Sequence, residues 1–383
     1  MGTGTVRMQI PVTKPFIGEE EERAVLEVLR SGWLVQGPKV AEFERVVADF
    51  VGAKHAVATS SCTTSLHLAL RLHHVGPGDE VIVPSFSFIA SANAILYQGA
   101  KPVFVDIDQR TYNLDPNLIA AAITPRTKAI LPVHQIGLAA DMDSINAIAL
   151  RHRLVVIEDA APTIGATYKG KRVGGLGNTT CLSFHPRKVI TTGEGGMILT
   201  DDPALAEQAR VLRAHGMSVS DLARHQAKRV VIEDYQDLGY NYRMTDLQAA
   251  VGIQQMKKLD HLLHRRHTLA TQYNEALGHL PGVQIPYSSP EAPHTYQSYM
   301  IELGPGAPRN RDEVMARTLE AGIATRPGVM AIHMTAYYRK HFPGFNLSVT
   351  ERATKNSLIL PMYATMTEAE QAYVLEHLLP LLK

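Results

Sequence analysis

The chain is poor in cysteine. Cys62 and Cys181 are the only two in 383 residues, too few for a disulfide framework or a thiolate zinc site. It also lacks an excess of charge: 38 Lys and Arg against 37 Asp and Glu leave a net +1. That balance gives no electrostatic reason to expect nucleic acid or an anionic membrane as partner. No apolar run is long enough to span a bilayer. The opening MGTGTVRMQIPVTKPF has no continuous apolar stretch of the kind a signal peptide needs. Internal repeats and low-complexity tracts are missing as well. A reducing cytoplasm is the expected location. What the chain does have is 45% hydrophobic and 20% charged residues, enough apolar content to bury a sizeable core.

From about residue 55, apolar runs alternate with helical patterns. HAVAT (55–59), EVIVP (80–84), PVFVD (102–106), AILPV (129–133), LVVIED (154–159), CLSF (181–184) and MILT (197–200) are near-continuous Val, Ile and Leu. Strands buried on both faces of a mainly parallel sheet have that composition. Helical patterns such as SLHLALRL (65–72) and DSINAIALRH (143–152) lie between them. The alternation predicts an α/β fold, a three-layer domain. After about residue 245 the texture changes to a long amphipathic helix, 244–277, with Thr245 or Asp246 as N-cap. A Pro-rich link, a strand-like YQSYMIEL (296–303) and a C-terminal helix follow. The expected division is an N-terminal arm and helix (1–35), a large α/β domain (36–250) and a smaller α+β C-terminal domain (251–383).

Several motifs fail. GATYKGKR (165–172) nearly spells a P-loop, but Arg172 stands where Ser or Thr would hold magnesium and no helix follows, so a β-hairpin turn is expected. VGGLGNTT lacks the third small residue of a dinucleotide fingerprint. His261, His264 and His267 share one helix face without a carboxylate or cysteine cluster, among Lys257, Lys258, Arg265 and Arg266. That reads as a solvated basic face, and no metal site is expected.

Three other stretches fall at the carboxyl ends of predicted strands, where open α/β sheets bind ligands. TSSCTTS (59–65) puts small hydroxyl residues at a helix start, which suits either a plain N-cap or an anion held by free N–H groups. IEDAAP (157–162) ends a strand on two acids, which suits a helix cap or a carboxylate that fixes a protonated ring nitrogen or a metal. SFHPRKVITTGEGG (183–196) places Lys188 before a glycine-rich tail that lets backbone pass close to a bulky ligand. An anion cradle, a carboxylate and a lysine together are what pyridoxal phosphate requires: its phosphate, its pyridinium nitrogen and its aldehyde each need one of them. PSFSFIASANAI (84–95) offers Phe86 and Phe88 as a wall for the ring, or as core.

SFHPRKVITTGEGG, EDAAPTIGA, PSFSFIASANAI, SGWLVQGPKVAEFE and GYNYRMTDLQAA resemble the DegT/DnrJ family of sugar aminotransferases, enzymes of pyridoxal-phosphate fold type I. Five motifs match in order, from about residue 10 to the C-terminus. The resemblance implies that Lys188 carries the cofactor as a Schiff base and shuttles a proton, and that Asp159 pairs with the pyridine nitrogen. It implies that Cys62, Thr63 and Ser183 hold the phosphate and that Phe88 stacks on the ring. Asn241 would reach the phosphate of a neighbouring subunit, which implies a homodimer with shared active sites. Two positions depart from the family. Cys62 stands where a glycine is frequent, which backbone donation tolerates. Pro162 stands where a glutamine often contacts the cofactor's phenolic oxygen, and proline cannot donate.

The implied activity is ping-pong transfer of the amino group of L-glutamate, through a pyridoxamine form, to a keto group of a nucleotide-linked deoxysugar, in polysaccharide or glycosylated-metabolite biosynthesis. Lys188 separates the chain from the family's dehydratases, which carry histidine there. FHPRKVITTGEGG is more like members acting at carbon 4 than the FYPGKNLGALGDGG of carbon 3 enzymes. The sugar pocket would draw on Trp33, His185, Arg326 and His333, with Arg326 pairing with a diphosphate or carboxylate or forming a structural ion pair. Alternatives are a cyclitol ketone (scyllo-inosose-type) aminotransferase using glutamine, and a non-catalytic regulator that binds the cofactor.

Overall fold

The computed structural model of the chain describes residues 8–219, 232–235 and 237–383. In chain order the strands of the first sheet are β1 (His55–Thr59), β2 (Glu80–Pro84), β3 (Lys101–Val105), β4 (Thr127–Ile130) and β5 (Val155–Asp159). A two-stranded hairpin, β6 (Thr167–Tyr168) and β7 (Lys171–Arg172), interrupts them where GATYKGKR predicts a turn. The sheet resumes with β8 (Thr179–Ser183) and β9 (Gly196–Thr200). Its order is β1-β9-β8-β5-β4-β2-β3, with β9 antiparallel to both neighbours and the remaining pairs parallel.

Both faces are covered, which is why the strands read as unbroken apolar runs. Cys181 and Ile198 point to one face, packed with Leu66, Leu70, Ile95 and Leu212 from three helices. Leu182 and Met197 point to the other, with Phe43, Val47, Ile253 and Met256. At Gly252 a Cβ would stand 2.7 Å from the Phe43 ring, so a small residue is what lets the long helix lie this close.

Strand ends differ from the sequence pattern for identifiable reasons. β3 stops before Asp106, whose carboxylate turns away to accept from Val349 N at 3.0 Å and Thr350 N at 2.9 Å, capping the helix Ser348–Asn356. β4 ends ahead of Pro132, which has no N–H for a ladder.

The helix Asp246–Leu277 is one continuous element capped by Thr245, which accepts from Gln248 N. Its first half packs on the large sheet through Ile253, Met256 and Leu259. Its second half packs through Leu269, Tyr273 and Leu277 on a second sheet. Position 250 therefore lies inside a helix that serves both layers. The second sheet is antiparallel, in the order β10 (Val283–Gln284), β11 (Tyr299–Leu303), β13 (Ser357–Leu360), β12 (Arg326–Pro327). No described helix is long and apolar enough to cross a membrane.

Candidate active site

The connections after β1, β2, β5 and β8 all leave the parallel strands at the same edge of the large sheet. β9 runs the other way, so its first residue, Gly196, lies at that edge too. Register places Gly196 opposite Thr59 on one side and Ser183 on the other. A Cβ there would stand 2.3 Å from the Ser61 carbonyl and 2.6 Å from Cys62 N. The glycine tail thus abuts the start of the helix Cys62–Leu72.

That helix start is both an N-cap and a candidate anion cradle. Ser61 caps it, accepting from Thr64 N at 3.2 Å, while Ser61 N donates to Thr64 Oγ1 at 3.1 Å. The N–H groups of Cys62 and Thr63 have no acceptor among the described residues, as expected for the first two helical positions. The Cys62 thiol turns the other way, toward the Cys181 carbonyl at 3.8 Å. Burial first, then the charge of Asp159, pushes that thiol's pKa up, so Cys62 can offer an anion its backbone and not its sulfur. Ser60 N donates to the Tyr242 carbonyl at 2.8 Å, tying GYNYR to the cradle. Asn241 itself is exposed.

The two acids of β5 have separate tasks. Glu158 turns inward, accepting from Asn178 Nδ2 at 2.7 Å and meeting His134 Nε2 at 2.8 Å. His134 Nδ1 accepts from Ala140 N, so Nε2 carries the proton and donates to Glu158. Asp159 faces the opposite way, into a cavity of about 900 Å³. Its Oδ1 accepts from Ala161 N at 3.1 Å and its Oδ2 from Ser91 Oγ at 2.7 Å.

Lys188 lines the same cavity, after a turn closed by its N–H on the His185 carbonyl at 2.8 Å. Its amine forms no ion pair or hydrogen bond among the described residues. Loss of water around it lowers its pKa, and the attraction of Asp159 offsets only part of that. A lysine held this way is biased toward the neutral, nucleophilic amine. Phe86 and Phe88, beyond the end of β2, have different surroundings: Phe86 is buried and stacks on Tyr112 at 5.6 Å, whereas Phe88 lines the cavity and is 58% exposed. An apolar ring left open beside an amine and a carboxylate suits a flat aromatic ligand.

The expected substrate residues scatter. Arg326 lines the cavity, and so does Arg187, whose carbonyl accepts from Gln297 Nε2 at 2.7 Å. Desolvation first, then Arg187, lowers the Arg326 pKa. The other three lie off the cavity wall. Trp33 packs over Gly37 with its Nε1 on the Gln36 carbonyl at 3.3 Å. The His185 ring accepts from Arg187 N at 3.2 Å. His333 is buried, its Nδ1 on Ser85 Oγ at 2.7 Å and its Nε2 near Glu351 at 3.2 Å. It thus links the residue that follows β2 to the helix Ser348–Asn356. Arg187, Ser87 and Ser91 escaped the sequence reading. The serines stood in PSFSFIASANAI, a stretch read there for its aromatics alone.

The residues fit pyridoxal phosphate: unpartnered N–H groups and Ser183 around a glycine that has no room for a Cβ, a buried carboxylate, an uncommitted amine and an open phenyl face. Fold and site together define a pyridoxal-phosphate enzyme of fold type I. Residues 15–379 match the DegT/DnrJ/EryC1/StrS aminotransferase family, and the chain belongs to that family. It is 42% identical to the spore coat polysaccharide biosynthesis protein SpsC of Bacillus subtilis (strain 168), over 96% of this chain and 95% of that one. It is 43% identical to the GDP-perosamine synthase of Caulobacter vibrioides, over 94% and 95% of the two chains. Among solved structures, the PLP-form of Spr1654 from Streptococcus pneumoniae superposes with a TM-score of 0.89 at 28% identity, covering 96% of this chain and 97% of that one.

Proposed function

We propose that the protein moves the amino group of L-glutamate to the carbon 4 keto group of a nucleotide-linked deoxysugar. The observation that carries this reading is the cavity over Lys188. At about 900 Å³ it lies at the upper end of small-molecule sites and has room for a nucleotide sugar. The relation to a GDP-perosamine synthase supports a nucleotide-linked sugar as acceptor. Arg187 and Arg326 at the wall suit the anionic groups that both glutamate and a sugar nucleotide bring.

Bound pyridoxal phosphate supplies an electron sink for the carbon that loses a proton. The chain's residues do the rest. Lys188 Nζ takes that proton and returns it, a task favoured by its lowered pKa. Asp159 would hold the proton of the ring nitrogen. The N–H groups of Cys62 and Thr63, with Ser183, would hold the phosphate, and Phe88 would cover one face of the ring. Pro162 also lines the cavity and donates nothing. A second copy of the chain would bring Asn241 to the phosphate and cover the exposed Leu34, Val35 and Tyr97. A cytoplasmic setting belongs to the same proposal.

The test is to add L-glutamate to protein saturated with cofactor, and then a GDP-, UDP- or dTDP-linked 4-keto-6-deoxysugar. Loss of the visible band with glutamate and its return with one of the sugars is expected. A folded, cofactor-loaded protein whose spectrum glutamate leaves unchanged would refute the donor. A spectrum restored only by a cyclitol ketone would refute the acceptor.

A further inference from the structure

Asp159 is 4% exposed, and a carboxyl group so buried needs hydrogen-bond donors in place of water. Ala161 N supplies one. The other is Ser91, from the first turn of the helix Ala90–Tyr97, at 2.7 Å. Ser91 Oγ in turn lies 2.8 Å from Ser87 Oγ. A hydroxyl has one proton, and that of Ser91 is directed at Asp159, so Ser87 donates to Ser91. Ser87 is 2% exposed yet borders the cavity. Two buried hydroxyls therefore run in series from the cavity wall to the carboxylate.

We propose that Ser87 and Ser91 form a hydroxyl relay that holds the Asp159 carboxylate in place and fixes the lone pair it turns toward the cofactor's ring nitrogen. Both are positioning residues, acting through Asp159. The argument rests on Asp159 meeting that nitrogen. Ser91 donates to Asp159 Oδ2 and fixes the carboxylate's orientation, and Ser87 polarises Ser91 and strengthens the bond. The charged and titratable groups around Asp159 are Lys188, Cys62 and Cys181; among the described residues none of them hydrogen-bonds the Asp159 carboxylate. The relay is thus the only side-chain donor described on it. Its chain economy is simple. Ser85, Ser87 and Ser91 share one stretch, but Ser85 serves His333, off the cavity wall, and only the other two reach Asp159.

Without Ser91 the carboxylate loses its side-chain donor and is less well aimed. A ring nitrogen met less squarely would keep its proton less well and withdraw fewer electrons, which would leave the nitrogen joined to Lys188 more basic. Ser91→Ala should therefore raise the pH midpoint of the visible band by about one unit and weaken cofactor binding roughly tenfold, the scale of one hydrogen bond to a charged group. Ser87→Ala should shift both in the same direction by less. Asp159→Ala is the control for the premise, and the melting temperature of the cofactor-free protein is the control for folding. If Asp159→Ala leaves midpoint and affinity unchanged, the assignment of Asp159 fails. If Asp159→Ala moves them and Ser91→Ala does not, the relay alone fails. If Ser91→Ala lowers the cofactor-free melting temperature as much as it weakens binding, the serine is a packing residue and the proposal is overturned.

Discussion

Lys188 and Gly196 do opposite things at the site: one stores unfavourable charge, the other removes a side chain. Because the folded chain lowers the Lys188 pKa below the ordinary lysine value, the cofactor-free protein gains stability as pH rises toward that ordinary value and loses it as pH falls through the lowered one. Lys188→Met, neutral at every pH, should therefore melt higher than the cofactor-free wild type at neutral pH. The difference should vanish above about pH 10.5. Melting curves across pH check it, and the same variant should show no visible cofactor band. At Gly196 the obstacle is backbone, the Ser61 carbonyl 2.3 Å from a new Cβ, which cannot rotate away. Gly196→Ala should cost about 1–3 kcal/mol. Cofactor affinity should fall more steeply than stability, since the strain moves Cys62 N. Equilibrium dialysis against pyridoxal phosphate and thermal melting separate the two.

Elements inherit these demands through their ends. Asp246 opens the long helix, yet its carboxylate accepts from Gly37 N at 2.8 Å, Val40 N at 3.0 Å and Lys39 N at 3.1 Å. It thereby caps the helix Pro38–Val51, whose own N-cap, Gly37, has no side chain to do so. Asp246→Ala should destabilise the protein by about 2 kcal/mol, read as a lower melting temperature, while Asp→Ala at exposed Asp260 should not. The sequence pattern supplied Thr245 or Asp246 as alternatives for one cap, and the structure uses each for a different helix. Local composition showed β1 and β2 to the residue, because both faces of these strands are apolar. It could not show which of Glu158 and Asp159 faces the cavity, nor that Phe86 is core and Phe88 wall. Those are matters of side-chain direction along one strand exit, decided by His134 and Asn178 on Glu158 and by Tyr112 on Phe86. His333, 148 positions beyond His185 in the chain, is committed by Ser85 and Glu351, partners that no nearby residue announces.

Across the whole molecule the +1 net charge conceals a cationic cavity between the two sheets. Arg187, Lys188, Arg311, Arg326, Arg352 and Lys355 line it against Asp159 and Glu351. Arg352 is paired with Glu302 at 2.9 Å and Arg311 with Asp312 at 2.7 Å. Arg187 and Arg326 have no carboxylate partner among the described residues, and each lies in the other's field. Two guanidiniums left together in this way are relieved by an anion between them, and a charge-assisted contact to each is worth tens of times in binding. Arg326→Ala and Arg187→Ala should raise the KM for the sugar nucleotide about 10- to 100-fold with kcat changed much less, because neither guanidinium takes part in moving the proton at Lys188. The wild-type kcat/KM should fall as salt rises from low to about 0.5 M, since screening shortens the reach of the pair, and each variant should show a shallower salt slope. A loss confined to kcat, or a salt slope unchanged in both variants, would place the anion elsewhere in the cavity and leave Lys355 as the next cation to remove.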